Sequence, residues 1–472
     1  MTYSQPANAS PTGRRGLSAS PAFKAAVISA LTLALLVPSL LVQDLVRERK
    51  LRAGSVADTI ARDWGGTQAI QGPVVVVPFL EEVERDEIQN GVTVRKRDLH
   101  RRAAFLLPQE LTVRVKAQTE LRQLSIYSLP VYQAHIRLEG RFAPLDTGSF
   151  RPRFEGRIVP SGEPAYLAAS ISELKAVKSD ISLRVDGGQP RLFDPGSGDL
   201  SLSGRAAQSI QTPLTSAEVA TGFRFEIPLL LNGSGSFHIA PSGRTTRVEI
   251  TSNWPHPGFS GGFLPDQREI NPDGFTASWS IPYLARGLPD LMMDSSLPFS
   301  PQMLGVTFVE QVDLYQTVER SVKYAIFFLT LTFLAVFLLE LRAPGQVHWI
   351  QYGLTGMALV VFYVLLLALS EHIGYDLAYL TAATAVSGLI AVYVGFLVTS
   401  RKAGALMAAV LASIYGTLYL LMREEDYALL VGSFIAFLAV AITMFATRRL
   451  DWSGTTKAHV SGDQPDKVPD PA

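Results

Sequence analysis

Five apolar segments follow one another between Tyr324 and Thr447, separated by loops of only a few residues. A helix needs roughly 20 mostly apolar residues to cross the hydrocarbon core of a bilayer. Tyr324–Leu339, Ile350–Ser370, Leu377–Thr399, Ala403–Met422 and Ala428–Thr447 all qualify as spans. Buried helices of a soluble protein are the competing reading, and five such segments in close succession argue against it. A sixth apolar segment, Ala25–Val42, lies near the N-terminus. Arg14, Arg15 and Lys24 precede it, as in a signal peptide. The stretch is long for a signal peptide, however, and no small-x-small cleavage site follows Val42. An uncleaved anchor is expected, with Pro38 as a candidate kink of the kind that membrane helices tolerate.

Orientation follows from the loops. Arg342 with His348, Arg401 with Lys402, and Arg448 with Arg449 fall on one side of the six expected spans. The alternate loops hold Glu371, His372 and Asp376, then Arg423, Glu424, Glu425 and Asp426. Basic loops stay in the cytoplasm, so both termini are expected there and the large segment between the first two spans outside. Arg47, Arg49, Lys50 and Arg52 oppose this count, since they follow the first span on the expected outer side.

Residues 44–320 read differently from the spans: rich in Arg, Glu, Asp, Gly and Pro, and long enough to bury a core. Leu111, Val113 and Val115 alternate with polar residues. So do Ile136 and Leu138; Ile181, Leu183 and Val185; Phe223, Phe225 and Ile227; Phe237 and Ile239; Val248 and Ile250. Period-two alternation places one face on a core and the other in water. Val74–Pro78 is a short β-branched run. Asn90-Gly91, Asp186–Gly188, Asn232–Gly235 and Pro241–Gly243 carry turn chemistry. Many antiparallel strands of this kind predict a sandwich or paired β-subdomains. Ser55–Gln71 reads as a short helix behind the first span, and Gly305–Leu314 as a last strand feeding the second.

Several functions are excluded or disfavoured by composition. The chain has 472 residues, no net formal charge and no cysteine. Disulfides, Cys-zinc sites, iron–sulfur clusters and thiol nucleophiles are excluded. Neutral charge without a basic run opposes nucleic acid as a partner. No Gly-x-Ser-x-Gly elbow, phosphate loop or His-Glu-x-x-His occurs, and the seven histidines are scattered.

The stretch Thr251–Phe259 (TSNWPHPGF), followed by Gly262–Pro265 and Arg268-Glu269, resembles a signature of the CreD family. Arg320–Ala325 (RSVKYA), Leu331–Phe333 and Glu340 resemble it too. So do Gln351–Gly353, Phe362-Tyr363, Leu367–Gly374 (LALSEHIG), Tyr427–Ser433 and Thr447–Trp452. The resemblance runs from the first span to Trp452. Its N-terminal tail is longer and richer in Ser and Pro than the family pattern. The resemblance implies an inner-membrane protein of cell envelope integrity, in the regulon of a sensor-kinase and response-regulator pair. It also implies a link to envelope and β-lactam stress, and no established enzyme activity.

The candidate site residues are Asn253, Trp254, Pro255, His256 and Pro257; Arg320, Lys323 and Tyr324; and Glu371 with His372. The Pro-His-Pro segment is locally rigid, Trp254 could anchor the domain to headgroups or a partner, and His256 could bind metal. A structural loop is the simpler reading, because no second ligand stands at usable spacing. Arg320 and Lys323 open the second span and can snorkel to phosphates. Glu371 and His372 could form a pH-responsive site. A polar interfacial loop is simpler, since ionisable residues at span ends are cheap while those at midplane mark pathways. The six span interiors hold no Asp, Glu, Lys, Arg or His, which disfavours ion-coupled transport. Gly353, Gly356, Gly395 and Gly404 could allow close helix contact.

The expected fold is a membrane α + β protein. A disordered cytoplasmic tail (1–23) precedes a transmembrane helix (24–43) and a large β-rich, sandwich-like periplasmic domain (44–320). A bundle of five transmembrane helices (321–450) and a second disordered cytoplasmic tail (451–472) follow. The expected function is non-enzymatic, in an inner-membrane protein of envelope integrity or stress response whose outer domain senses or binds an envelope component. The alternative is a transporter or lipid-handling protein with a neutral cavity in the bundle; a hydrolase hidden in the β-domain is a third reading. No cofactor or metal is expected. The partners are the bilayer and an envelope component or other inner-membrane proteins.

Overall fold

The computed structural model describes residues 21–89, 92–151, 157–196, 208–293, 303–308, 314–340, 347–398, 400–423 and 428–448. Both expected disordered tails fall largely outside these residues, as does the Asn90-Gly91 turn. The chain forms two compact units, one of Met1–Leu51 with Val312–Ala472 and one of Arg52–Gln311.

α1 (Pro21–Ala34), in the helical unit, and α2 (Leu36–Trp64), which passes into the β unit after Leu51, are separated by a turn at Leu35. Pro38 has no N–H to offer the Ala34 carbonyl. The helix is therefore irregular three residues before the proline and regular through it. α2 continues unbroken to Trp64, so the separate helix expected from Ser55 is part of this one. Its C-terminal end gives way to a strand from Gln68.

The helices of the C-terminal block are α5 (Leu314–Lys323), α6 (Ala325–Glu340), α7 (Trp349–Ile373), α8 (Tyr375–Leu397), α9 (Arg401–Arg423) and α10 (Ala428–Thr447). Two short helices of the other unit, α3 (Ser216–Thr221) and α4 (Tyr283–Arg286), precede them in the chain. The helical run Phe23–Trp64, α7, α8 and α9 are each long and apolar enough to cross a membrane. α5 and α6 together form a fifth such element, bent by 47°. The apolar part of α10, Leu430–Phe445, is shorter than a full crossing.

α5 differs in kind from the span it leads into. Tyr315, Val318 and Val322 are buried at helical spacing, while Lys323 is exposed. That pattern is amphipathic, whereas α6 carries no charged residue before its last, Glu340. α7 starts with a capping box: His348 Nδ1 accepts from the Ile350 N–H at 3.3 Å and Gln351 Oε1 from the His348 N–H at 2.7 Å.

Glycine sets two helix contacts. A Cβ on Gly356 would lie 2.2 Å from Leu35 Cδ1 and 2.6 Å from Phe333 Cζ. One on Gly404 would lie 3.0 Å from the Ala391 carbonyl oxygen and 3.2 Å from Gly395 Cα. Both are close approaches of the small-residue type. Gly353, by contrast, has only Leu31 Cδ2 near, at 3.9 Å. Aromatic side chains fill the space between α7, α8 and α9. The Phe362 ring meets those of Tyr363, Tyr379 and Tyr415 edge-on, the nearest centroid at 4.7 Å. The Tyr379 hydroxyl donates to the Tyr415 carbonyl at 2.6 Å.

Among the described residues the β unit holds a ten-stranded and an eight-stranded sheet. The first is built on β1 (Gln68–Gln89), which pairs antiparallel with β2 (Val92–Leu106) from Val75 to Gln89. The second is built on β3 (Glu110–Leu124) and β4 (Tyr127–Phe142), a long hairpin. Strand Phe223–Ser234 flanks β4 and strand Thr245–Ser252 flanks β3. One core cluster draws on both sheets: Ile70, Val75, Phe237 and Val306 from the first, Leu111, Val113, Ile136, Leu138 and Ile250 from the second. A sandwich-like arrangement results, as the alternation predicts.

Two pairings depart from the antiparallel expectation. Thr245–Ser252 runs parallel to β3, and Ser236–Ile239 parallel to β1. Val74 and Val76 pack into a second cluster with Phe105, Leu107 and Leu288, while Val75 faces the main core. β1 is thus buried on both faces, which is why it reads as an unbroken apolar run. The Asn232–Gly235 segment is not a four-residue turn. Asn232, Gly233 and Ser234 continue the strand, and only Gly235 turns, with φ 71°. Gly233 serves packing instead: a Cβ there would lie 2.3 Å from the Tyr132 ring. The expected last strand is Leu304–Phe308, and Leu314 already opens α5.

Buried charge secures one loop. Arg286, fully buried, donates to the carbonyls of Ser242 (2.9 Å) and Leu288 (2.6 Å) and pairs with Asp290 at 2.7 Å. The Pro241–Gly243 turn is held by these contacts.

Candidate functional site

Asn253 follows directly on the strand Thr245–Ser252, just where that strand stops pairing with β3. Its Oδ1 accepts from the Thr119 N–H at 2.7 Å, and its Nδ2 donates to the Thr119 carbonyl at 3.1 Å. The side chain therefore extends the ladder by one residue. Ser252 Oγ lies 3.1 Å from Thr119 Oγ1 and accepts from the Trp254 N–H at 3.2 Å. Trp254 is half-buried against the main core, with the His256 ring edge-on at 6.5 Å. Pro255 is half-buried, and Pro257 opens the strand Pro257–Gly261 that pairs with Leu304–Phe308. Asn253 and Trp254 thus lock a strand end. Among the described residues, no group of three or more His, Asp or Glu stands where it could hold a metal ion.

Beside Asn253 lies a pocket of about 490 Å³. Its lining includes Thr119 and the fully buried Tyr132, whose hydroxyl donates to the Ser236 carbonyl at 2.9 Å; burial pushes that phenol well above its ordinary pKa. Gln118 and Gln133 are direct cross-strand partners on β3 and β4 and share one face of the sheet. Gln133 Nε2 donates to Asn232 Oδ1 at 3.3 Å. Trp64, the last residue of α2, donates from Nε1 to the Tyr132 carbonyl at 3.3 Å. The Arg122 guanidinium lies over the Trp64 ring, 4.4 Å from its centroid, and Arg122 Nε pairs with Glu120 at 2.7 Å. The site brings together residues from 64 to 253, and of the expected residues only Asn253 belongs to it.

A different pair bears on the hydrolase reading. His238, Gly305 and Ser260 occupy one row across three neighbouring strands. Because Gly305 carries no side chain, His238 Nε2 reaches Ser260 Oγ at 3.2 Å, and that hydroxyl lies 3.3 Å from Thr307 Oγ1. Burial holds the imidazole below its ordinary pKa. Among the described residues no carboxylate is hydrogen-bonded to His238, so the pair lacks the orienting group of a catalytic triad.

The remaining expected residues lie in the helical unit. Arg320 donates to the Leu421 carbonyl at 3.3 Å, tying α5 to the end of α9. Lys323 pairs with Glu319 at 3.0 Å, and Glu319 also meets Lys50 at 3.6 Å. Tyr324 stands at the bend between α5 and α6. Glu371 accepts from the Tyr315 hydroxyl at 3.2 Å and faces Arg49 at 3.8 Å. His372 is exposed and makes no hydrogen bond among the described residues. Asp376 accepts from the Tyr419 hydroxyl at 2.8 Å and pairs with Arg423 at 3.3 Å. Arg320, Glu371 and their neighbours form a polar rim at one end of the unit, built from α2, α5, α7, α8 and α9.

At the opposite ends of α6 and α7 is a cluster outside the expected site residues. Glu340 receives Lys24 Nζ at 2.5 Å, the Tyr352 hydroxyl at 2.7 Å and the Val347 N–H at 2.9 Å. It is 6% exposed. An acid closing an apolar span was the available signal.

A family model described as inner membrane protein CreD matches residues 20–453. The chain belongs to the CreD family. The inner membrane protein CreD of Escherichia coli (strain K12) is 30% identical over 424 residues, covering 89% of this chain and 91% of that relative. The CreD match takes in both units, with the pocket, the polar rim and the Glu340 cluster inside it. It makes the protein a relative of an inner-membrane protein, in keeping with its several apolar helices.

Proposed function

We propose that this CreD-family chain is a non-enzymatic inner-membrane protein of envelope integrity or stress response. In this reading the β unit stands in the periplasm and binds or senses an envelope component. The helical unit anchors it, with six spans and both termini in the cytoplasm. The observation that carries the proposal is the open polar pocket beside Trp64. It offers hydrogen-bonding side chains around an aromatic face, without a nucleophile and base placed against each other.

The polar rim supports the orientation. Arg49 and Lys50 opposed the charge count after the first span, yet both face acids, Glu371 and Glu319. These contacts give the two cations partners within the rim, while the Lys/Arg bias of the later loops carries the orientation. The transporter alternative calls for a passage through the bundle. Phe333, Phe362, Leu366, Met407 and Leu411, each 1% exposed or less, occupy its interior instead.

Reporter fusions at Gly345, Lys402 and Glu424 test the topology. Activity of a periplasmic reporter is expected at Glu424; activity at Gly345 or Lys402 would sink the orientation. Crosslinking of the full-length chain in its membrane, followed by recovery of bound envelope material, tests the binding role. Recovery of nothing beyond bulk lipid would overturn it.

A further inference from the structure

We propose that the pocket beside Trp64 is a binding site for a neutral saccharide. This inference rests on the reading of the β unit as a binding domain and names the class of its ligand.

A sugar ring has apolar faces of C–H groups and a rim of hydroxyls, each both donor and acceptor. Its binding site needs a flat apolar surface and planar side chains that present a donor and an acceptor side by side. Trp64 supplies the surface, and its indole is fixed by the bond to the Tyr132 carbonyl. Gln118 and Gln133 supply carboxamides with a donor and an acceptor side by side, and Asn253, whose paired donor and acceptor are engaged by Thr119, supplies its second N–H. Two are already oriented, one by Asn232 and one by the Thr119 backbone, and each keeps an unused N–H. Preorganised polar groups of this kind reduce the ordering cost of binding. The volume of about 490 Å³ falls in the usual range of roughly 300–1,000 Å³ for small-ligand sites.

Charge selects among ligands. The lining holds one acid and one base, Glu120 and Arg122, and they pair with each other at 2.7 Å. No net positive charge is left for a phosphate or carboxylate. A peptide adding as a strand needs free backbone groups at a sheet edge. At Thr119, the point of the β3 edge that borders the pocket, the N–H and carbonyl are both taken by Asn253, so a strand cannot add there. Arg122 is the movable part. It is half-exposed, and a ring entering the pocket takes its place over Trp64 while the guanidinium turns to the ring hydroxyls.

The full-length chain in lipid nanodiscs is titrated with a panel of neutral oligosaccharides (chito-, cello- and malto-oligosaccharides), with inorganic phosphate and an acidic peptide as comparison probes. Saturable binding of at least one saccharide is expected. The double variant Gln118→Ala with Gln133→Ala should weaken it about tenfold or more, the worth of one or two net hydrogen bonds. Trp64→Phe should weaken it less, because a smaller ring face remains. These side chains lie at the pocket rather than in the core, and an unchanged melting temperature verifies folding. Binding of no saccharide, affinity unaffected by the double variant, or preference for phosphate or peptide overturns the proposal. Envelope material still recovered by crosslinking in those cases leaves the binding role standing. Loss of both results removes the binding role as well.

Discussion

Glu340 and Glu371 are both acids at the end of an apolar helix, and the protein treats them differently. Glu340 is met by a lysine, a tyrosine hydroxyl and a backbone N–H, all within 2.9 Å, from α1, α7 and the residue before α7's cap. Glu371 is met by one tyrosine hydroxyl at 3.2 Å and one long contact to Arg49 at 3.8 Å. The first is a closed polar knot around which three helices are packed. The second is one contact in an extended rim. Burial alone does not tell them apart, since their side chains are 5% and 8% exposed. The number and geometry of partners do.

The largest effect is expected from Glu340→Ala. It strands Lys24, 22% exposed, and removes the acceptor for Tyr352 and Val347. Breaking a buried pair from one side costs roughly 3–5 kcal/mol, which a thermal melt of the purified chain will register. Glu340→Gln keeps an acceptor oxygen and should lose distinctly less. Gly356→Leu comes next, at about 1–3 kcal/mol for overpacking. It drives a side chain into Leu35 and Phe333 on the same elements that the Glu340 knot joins. Gly388→Leu, with nothing within 4 Å of the added Cβ, is the matched control and should not lower the melting temperature. At the other end, an Arg49→Ala and Glu371→Ala double-mutant cycle should give a coupling of about 1 kcal/mol or less. His372→Ala should shift stability by no more than about 0.5 kcal/mol. A coupling at Glu371 as large as the Glu340 loss would erase the contrast between the two ends.

Local signals in the sequence carried much of the architecture. Apolar length located the helices, because crossing a bilayer imposes one requirement on consecutive residues. Alternation located the buried face of β3, where Leu111, Val113 and Val115 point inward as expected. The same alternation says nothing about which strand lies alongside. The parallel pairing of Val248 with Val113 therefore had no sequence signal. Gly233 misled because a glycine kept for the Tyr132 ring looks in sequence like one kept for a turn. The pocket was illegible for a related reason. Trp64, Gln118, Gln133 and Asn253 converge only after α2, the β3–β4 hairpin and a strand more than a hundred residues later are placed. Asn253 was found because it sits in a compact motif, but its bond to Thr119 lies 134 residues away in sequence.

The partners in the Glu340 knot also set an order of events. Lys24 and Glu340 are 316 residues apart. At a synthesis rate of about 5–20 residues per second, Lys24 is made on the order of tens of seconds before its acid exists. The first helix must wait through the whole synthesis of the β unit before its own bundle can close. Two separately expressed pieces, one ending after the β unit and one beginning at α5, should then reassemble through this contact. For this chain, translation places the keystone last.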